Sequence, residues 1–233
     1  MPRPEPTSSS CAQLAAPLAR RTQPASLIWP NGRFAGRLRY DAVVNGRMHV
    51  LSTWLLTTSN GQVAARIATL LGRQPHIDRA GPEQVYRVFS GHAEIDVLLD
   101  GPHVIRLLML RRNGSDVLRN CNGRVQRTLS GMQPCHCPPT LKGRWELAKA
   151  GAGCEPVVQV AVRLAADPTL GHFLLSSATW VFADHAIALK GALNRRINMP
   201  VLARLLVDHT LHSTKSGTTF AFTRPTITTL PTA

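Results

Sequence analysis

Apolar positions along this chain follow two rhythms, one of two residues and one near three and a half, and glycine or proline marks each change. "GRFAGRLRYDAVVNGRMHVLSTWLLTTS" reads as two strands joined at Asn45-Gly46, a dipeptide that tolerates the positive φ of a tight hairpin turn. In "SNGQVAARIATLLGR", Val63, Ile67, Leu70 and Leu71 recur at helical spacing, with Ser59 or Asn60 to cap the start and Gly72 at the stop. Three further strands follow in "EQVYRVFSG", "AEIDVLLDG" and "HVIRLLMLRR", separated at Gly91 and Gly101-Pro102; in the middle one Ile95, Val97 and Leu99 alternate with Glu94, Asp96 and Leu98. Farther on, "EPVVQVAVRLAAD" and "GHFLLSSA" read as strands and "WVFADHAIALKGALNRRI" as a helix, while "MPVLARLLVDHT" and "TTFAFTRPTITTL" form a closing pair of strands.

Both rhythms lapse in residues 119–156, where Gly123, Gly131, Pro134, Pro138, Pro139 and Gly153 discourage helix and strand alike. The first 26 residues are rich in Pro, Ser and Thr and lack a basic start followed by a clean apolar stretch, so they read as a disordered tail rather than an export signal. The expected class is therefore α+β: two small mixed lobes of mainly antiparallel sheet with one helix each, joined by an irregular cysteine-rich segment. The boundaries are a tail at 1–26, an N-terminal lobe at 27–118, the cysteine-rich segment at 119–156 and a C-terminal lobe at 157–233.

At 233 residues the chain can bury a core without disulfides, so its five cysteines need another explanation. Four of them, Cys121, Cys135, Cys137 and Cys154, fall in the segment that has least structure of its own. With no export signal and an odd cysteine count, a reduced cytoplasmic setting is expected, and clustered cysteines there usually bind metal. Four thiolates close a tetrahedral site with no open position for water, so the expected cofactor is a structural zinc ion. His136 is a rival ligand, and Cys11 reads as a free thiol in the tail.

Charge gives the same segment a second meaning. The net charge is +14, and nine basic against two acidic residues between Arg106 and Lys149 supply half of it. Only Lys142, Lys149, Lys190 and Lys215 are lysines, so arginine, which grips carboxylate and phosphate with two parallel hydrogen bonds, dominates. Arg111, Arg112, Arg119, Arg124 and Arg127 are the candidates for contact with a partner, an acidic protein surface or DNA. No apolar run is long enough to span a membrane.

Catalytic signatures are missing: there is no nucleophile elbow, no phosphate loop, and "GAGCEP" lacks the third glycine of a dinucleotide fingerprint. Glu94 with Asp96, His209 with His212, and Asp100 with His103 read as solvated or turn residues. A binding protein is expected rather than an enzyme.

The order "GRFAG…NGR…WLLTTS", "VAARIATLLG", "CNG" at 121–123, "PCHCP" at 134–138, "CEP" at 154–156, then Leu170-Gly171, Ser176, Trp180 and "TTFAFTRPTI" resembles the recombination directionality factors that accompany large serine integrases of actinobacterial phages. The resemblance runs from about residue 30 to 228, and departs from the family in "CNG" where "CDG" is usual. It implies an accessory protein that binds a serine integrase on DNA through the integrase's coiled-coil hairpin, favours excision between hybrid attachment sites and opposes integration. DNA would be touched indirectly or without sequence preference, and no small-molecule substrate or membrane is implied. The alternative is an autonomous DNA-binding phage regulator with a structural zinc site; its one basic helix, "ALKGALNRRIN", carries arginine only near the end.

Overall fold

The structure is a computed structural model and describes residues 34–44, 47–78, 84–113, 116–128, 130–195, 199–213 and 217–231. The tail, Cys11 and the Asn45-Gly46 turn lie outside these residues. Among the described residues thirteen strands and three α-helices follow one another, and most of the structure is sheet. The strands are β1 (Gly36–Val44), β2 (Arg47–Thr58), β3 (His76–Asp78), β4 (Val85–Phe89), β5 (Glu94–Leu99), β6 (Ile105–Asn113), β7 (Asp116–Cys121), β8 (Val125–Thr128), β9 (Gly131–Pro134), β10 (Glu155–Leu164), β11 (Phe173–Ser177), β12 (Val201–Ser213) and β13 (Thr219–Thr229). The helices are α1 (Gly61–Leu71), α2 (Leu141–Lys149) and α3 (Trp180–Asn194).

The expected α+β class with a mainly antiparallel sheet is what the structure has, and α1 and α3 flank the cysteine-rich segment as the hydrophobic spacing predicts. Strand order along the main path is β3-β4-β2-β1-β11-β10-β6-β7-β8-β9, and β5 joins the β12–β13 hairpin to the far end of β10. Among the described residues only β1 and β11 run parallel, with Gly36 beside Phe173. Early and late strands thus alternate: β1 sits between β2 and β11, and β5 between β10 and β12.

The two longer helices begin and end by identifiable chemistry. Asn60 caps α1 by accepting from the Gln62 and Val63 amides, and Gly72 ends it in the left-handed region at φ 61°. Thr179 caps α3 through the Phe182 amide. Phe182, Ala183, Ala186, Leu189 and Leu193 then turn inward, sharing one buried cluster with Val158, Val160, Phe173, Leu175 and Ile105 of the sheet. Trp54 is fully buried in that cluster, and its indole NH is satisfied by the Ala93 carbonyl at 2.8 Å.

Three carboxylates tie distant strands together. Asp100 accepts from Arg163 Nε at 2.9 Å and lies 2.8 Å from His172 Nε2. Asp96 receives Arg204 Nε at 2.7 Å, and Glu94 stands 3.1 Å from the same guanidinium. The acids on β5 are thus structural ion-pair partners of β12. His209 and His212 lie on β12, which runs past the turn expected there.

Candidate metal centre and its basic flank

Residues 119–156 have more regular structure than their glycines and prolines predict. β7, β8 and β9 form a three-stranded antiparallel meander that continues the sheet from β6, and α2 follows. The turn from β7 to β8 is built by Asn122, whose side-chain oxygen accepts from the Arg124 and Val125 amides at 3.0 Å each, with Gly123 at φ 91°. Past β9 the Cys135 amide still donates to the Arg124 carbonyl at 2.8 Å, so that residue is held beside the same turn.

This geometry delivers the cysteines. Cys121 ends β7 opposite Met109 of β6 and Gln126 of β8. Its Sγ and those of Cys135 and Cys137 lie within 4.8 Å of one another, a grouping that could hold a metal ion. Cys154 arrives from the other side, just before β10, and is buried in the same small cluster, with Met109 and the half-buried Trp180 packed around it. No disulfide joins these four cysteines. His136 is exposed and stands outside the sulfur group.

Electrostatics differ around the cluster. Burial pushes the Cys121 thiol up to about 12 and that of Cys154 up to about 11. Cys135 moves the other way: burial opposes ionisation, but hydrogen bonds from the Cys137 backbone and from the Cys121 and Cys137 thiols, with the Arg144 charge nearby, outweigh it. With one thiol shifted down and two pushed up, the cluster is a set of donors that ionises together only when a cation compensates the charge. Thiols in this grouping suit a soft or borderline ion rather than calcium or magnesium.

α2 braces the cluster from outside. None of its residues is buried; Thr140 caps it through the Gly143 amide at 3.1 Å, and Arg144 Nε donates to the Pro138 carbonyl at 2.6 Å. The return loop passes so close that a Cβ on Gly153 would lie 2.5 Å from the Ala148 backbone nitrogen. Trp145 stays exposed with Lys149 4.5 Å above its ring. Sequence reasoning did not assign Met109, Arg144 or Trp180 to the site; each joins it through strand register or packing that the sequence does not display.

The five arginines do not form one patch. Arg111 on β6 stands directly opposite Arg119 on β7. Arg127 on β8 pairs with Asn120 and Met132, on the other face of the meander. Arg124 lies in the β7–β8 turn and Arg112 at the irregular end of β6, both exposed. Elsewhere, a cleft of about 490 Å³ lies between the end of α1 and β5, lined by Leu70, Leu71 and the ion-paired Glu94, Asp96 and Arg204. Among the described residues no helix is long and apolar enough to cross a membrane.

Residues 35–206 match the family model described as Gp3-like, recombination directionality factor-like. No solved structure matches the chain. The match covers well over half of the sequence and contains all four clustered cysteines and the five arginines, so the chain belongs to this recombination directionality factor-like family.

Proposed function

We propose, from membership of that family, that the protein is a recombination directionality factor of a phage serine integrase. Bound to the integrase on DNA, it activates excision between hybrid attachment sites and inhibits integration, and it cuts no DNA itself. The family match over residues 35–206 carries this reading. The integrase partner follows from the resemblance of the cysteine-bearing motifs "CNG", "PCHCP" and "CEP" to factors of that kind. Action is in the cytoplasm of a bacterial host.

Thermodynamics makes the two effects one. A protein that binds the excision-competent arrangement of the integrase better than the integration-competent one enriches the first and depletes the second. Moving such an equilibrium from 1:99 to 99:1 takes ~5.5 kcal/mol of differential affinity, within reach of one ordinary protein interface with a few buried anchors. The role of the metal is structural. Cys121, Cys135, Cys137 and Cys154 would hold zinc, which would pin the end of β7, the loop after β9 and the start of β10 to one point and so hold the meander rigid.

The test is a gel assay of both reactions across a titration of the protein, with the integrase of the same genome. Excision should rise and integration fall with half-maximal effects at similar concentrations. If neither reaction responds at saturation, the reading is wrong. A footprint of the protein alone on one defined DNA sequence at physiological salt would instead favour the autonomous regulator.

A further inference from the structure

Arg111 and Arg119 are held side by side where a sheet ordinarily avoids like charges. Directly opposed residues on antiparallel strands keep their Cβ atoms ~4.5–5.5 Å apart, and like charges there are destabilising. Arg119 in turn faces Thr128 on β8. Neither arginine has an ion-pair partner among the described residues. One of them is nevertheless fixed in place, because Arg111 Nη1 donates to the Ala152 carbonyl at 3.0 Å, two residues before Cys154.

The strand between them is deformed at the same point. Arg111 pairs with Arg119 and Arg112 with Val117, which leaves Leu118 as an extra, unpaired residue, a β-bulge. Bulges re-aim side chains and recur beside functional sites. Here the exposed Leu118 joins Arg111, Arg119, Thr128 and Ser130 around a groove of about 380 Å³. Thr128 Oγ1 lies 2.9 Å from Ser130 Oγ, so two hydroxyls also line the groove.

We propose that this groove is a carboxylate-receiving notch: the Arg111–Arg119 pair takes one or two carboxylates of an acidic, leucine-bearing segment of a protein partner, and Leu118 takes the apolar side chain beside them. A carboxylate satisfies each fork with two parallel hydrogen bonds and removes the repulsion between them. A protein rather than a DNA backbone is favoured by composition: every basic residue from Arg106 to Arg127 is arginine, and Leu118 sits within the groove itself. Protein interfaces enrich arginine and deplete lysine, whereas phosphate tracking uses both and offers nothing to a leucine. That the partner is the integrase rests on the function proposed above; the notch does not.

The experiment compares wild type with Arg111→Gln/Arg119→Gln, and with Arg47→Gln/Arg195→Gln as a control that removes the same charge from exposed positions elsewhere. Three ligands are titrated at ~0.15 M salt: a short fluorescent peptide of Leu-Glu-Glu repeats, duplex DNA of random sequence, and the integrase. The notch variant should lose at least about tenfold in affinity for the peptide and for the integrase, the control less than about twofold, with DNA binding lowered equally in both. Equal loss of peptide binding in both variants, peptide binding unaffected by the notch change, or a selective loss of DNA binding each overturns the proposal. Wild type that takes the peptide through the notch but ignores the integrase leaves the notch standing and removes the proposed function. Arg119→Gln alone, which leaves Arg111 bonded to Ala152, gives the same comparison where the double variant misfolds.

Discussion

Met109 on β6 and Cys121 on β7 stand directly opposite each other, both buried, and Cys154 completes the cluster they form. That pairing carries the cysteines into a small apolar core of their own, separate from the main one.

If Cys121, Cys135, Cys137 and Cys154 hold zinc as proposed, reduced protein washed with a weak chelator should keep about one zinc ion per chain. Cys121→Ser should lose the metal and lower the melting temperature sharply, because loss of a structural metal is among the few single changes with large effect. Elemental analysis and thermal melts check both; metal-free wild type with an unchanged melt in the variant would show the cysteines to be packing residues only.

Gly153→Ala should displace the loop that delivers Cys154. The new Cβ would meet backbone atoms of Ala148 and Leu147, all within 3 Å, and backbone cannot rotate away as a side chain can. A cost of about 1–3 kcal/mol is expected from such overpacking, together with weaker metal retention in a chelator competition. Gly151, with open space at its Cβ position but φ 73°, should suffer only the milder strain of its conformation.

Asp100 makes part of the stability acid-sensitive. Burial works against its ionisation, but the hydrogen bonds and charges of Arg163 and His172 win and hold its carboxyl below the usual aspartate range. A depressed folded-state value means the contribution is complete above about pH 4, the ordinary aspartate range, and is lost as pH falls through the folded value. Asp100→Asn should therefore be less stable than wild type at neutral pH, and the difference should shrink as pH falls through the depressed folded value in urea titrations. A constant difference across that range would assign the cost to packing.

Thr179→Ala should cost roughly 0.5–2 kcal/mol by exposing the Phe182 amide at the start of α3, and Thr179→Ser should restore most of it. Because Trp180 packs on the cysteine cluster, the alanine variant should also loosen metal binding.

Much of this was legible beforehand. Alternation in Ile95, Val97 and Leu99 and the helical spacing of Val63 and Ile67 located β5 and α1; of the two start caps expected for α1, Ser59 or Asn60, the structure uses Asn60, and Gly72 ends the helix as expected. Hydrophobic spacing reports which side of an element is buried, and that information is local. It does not report partners: that β5 joins β12, or that β1 runs parallel to β11, depends on contacts across more than a hundred residues. The meander β7–β9 was hidden because its short strands are mostly exposed and so lack apolar alternation. The cysteines were visible by type, the opposition of Arg111 and Arg119 only by register, since a bulge at Leu118 shifts the pairing there.

The parallel contact between β1 and β11 imposes an order of events on a chain made from its amino end. Until Phe173 has left the ribosome, Gly36 and Leu38 have a neighbour on one side only, and β5 likewise waits for both β10 and β12. The newborn first half therefore carries open sheet edges through most of its synthesis, and its folding completes late and slowly for its size.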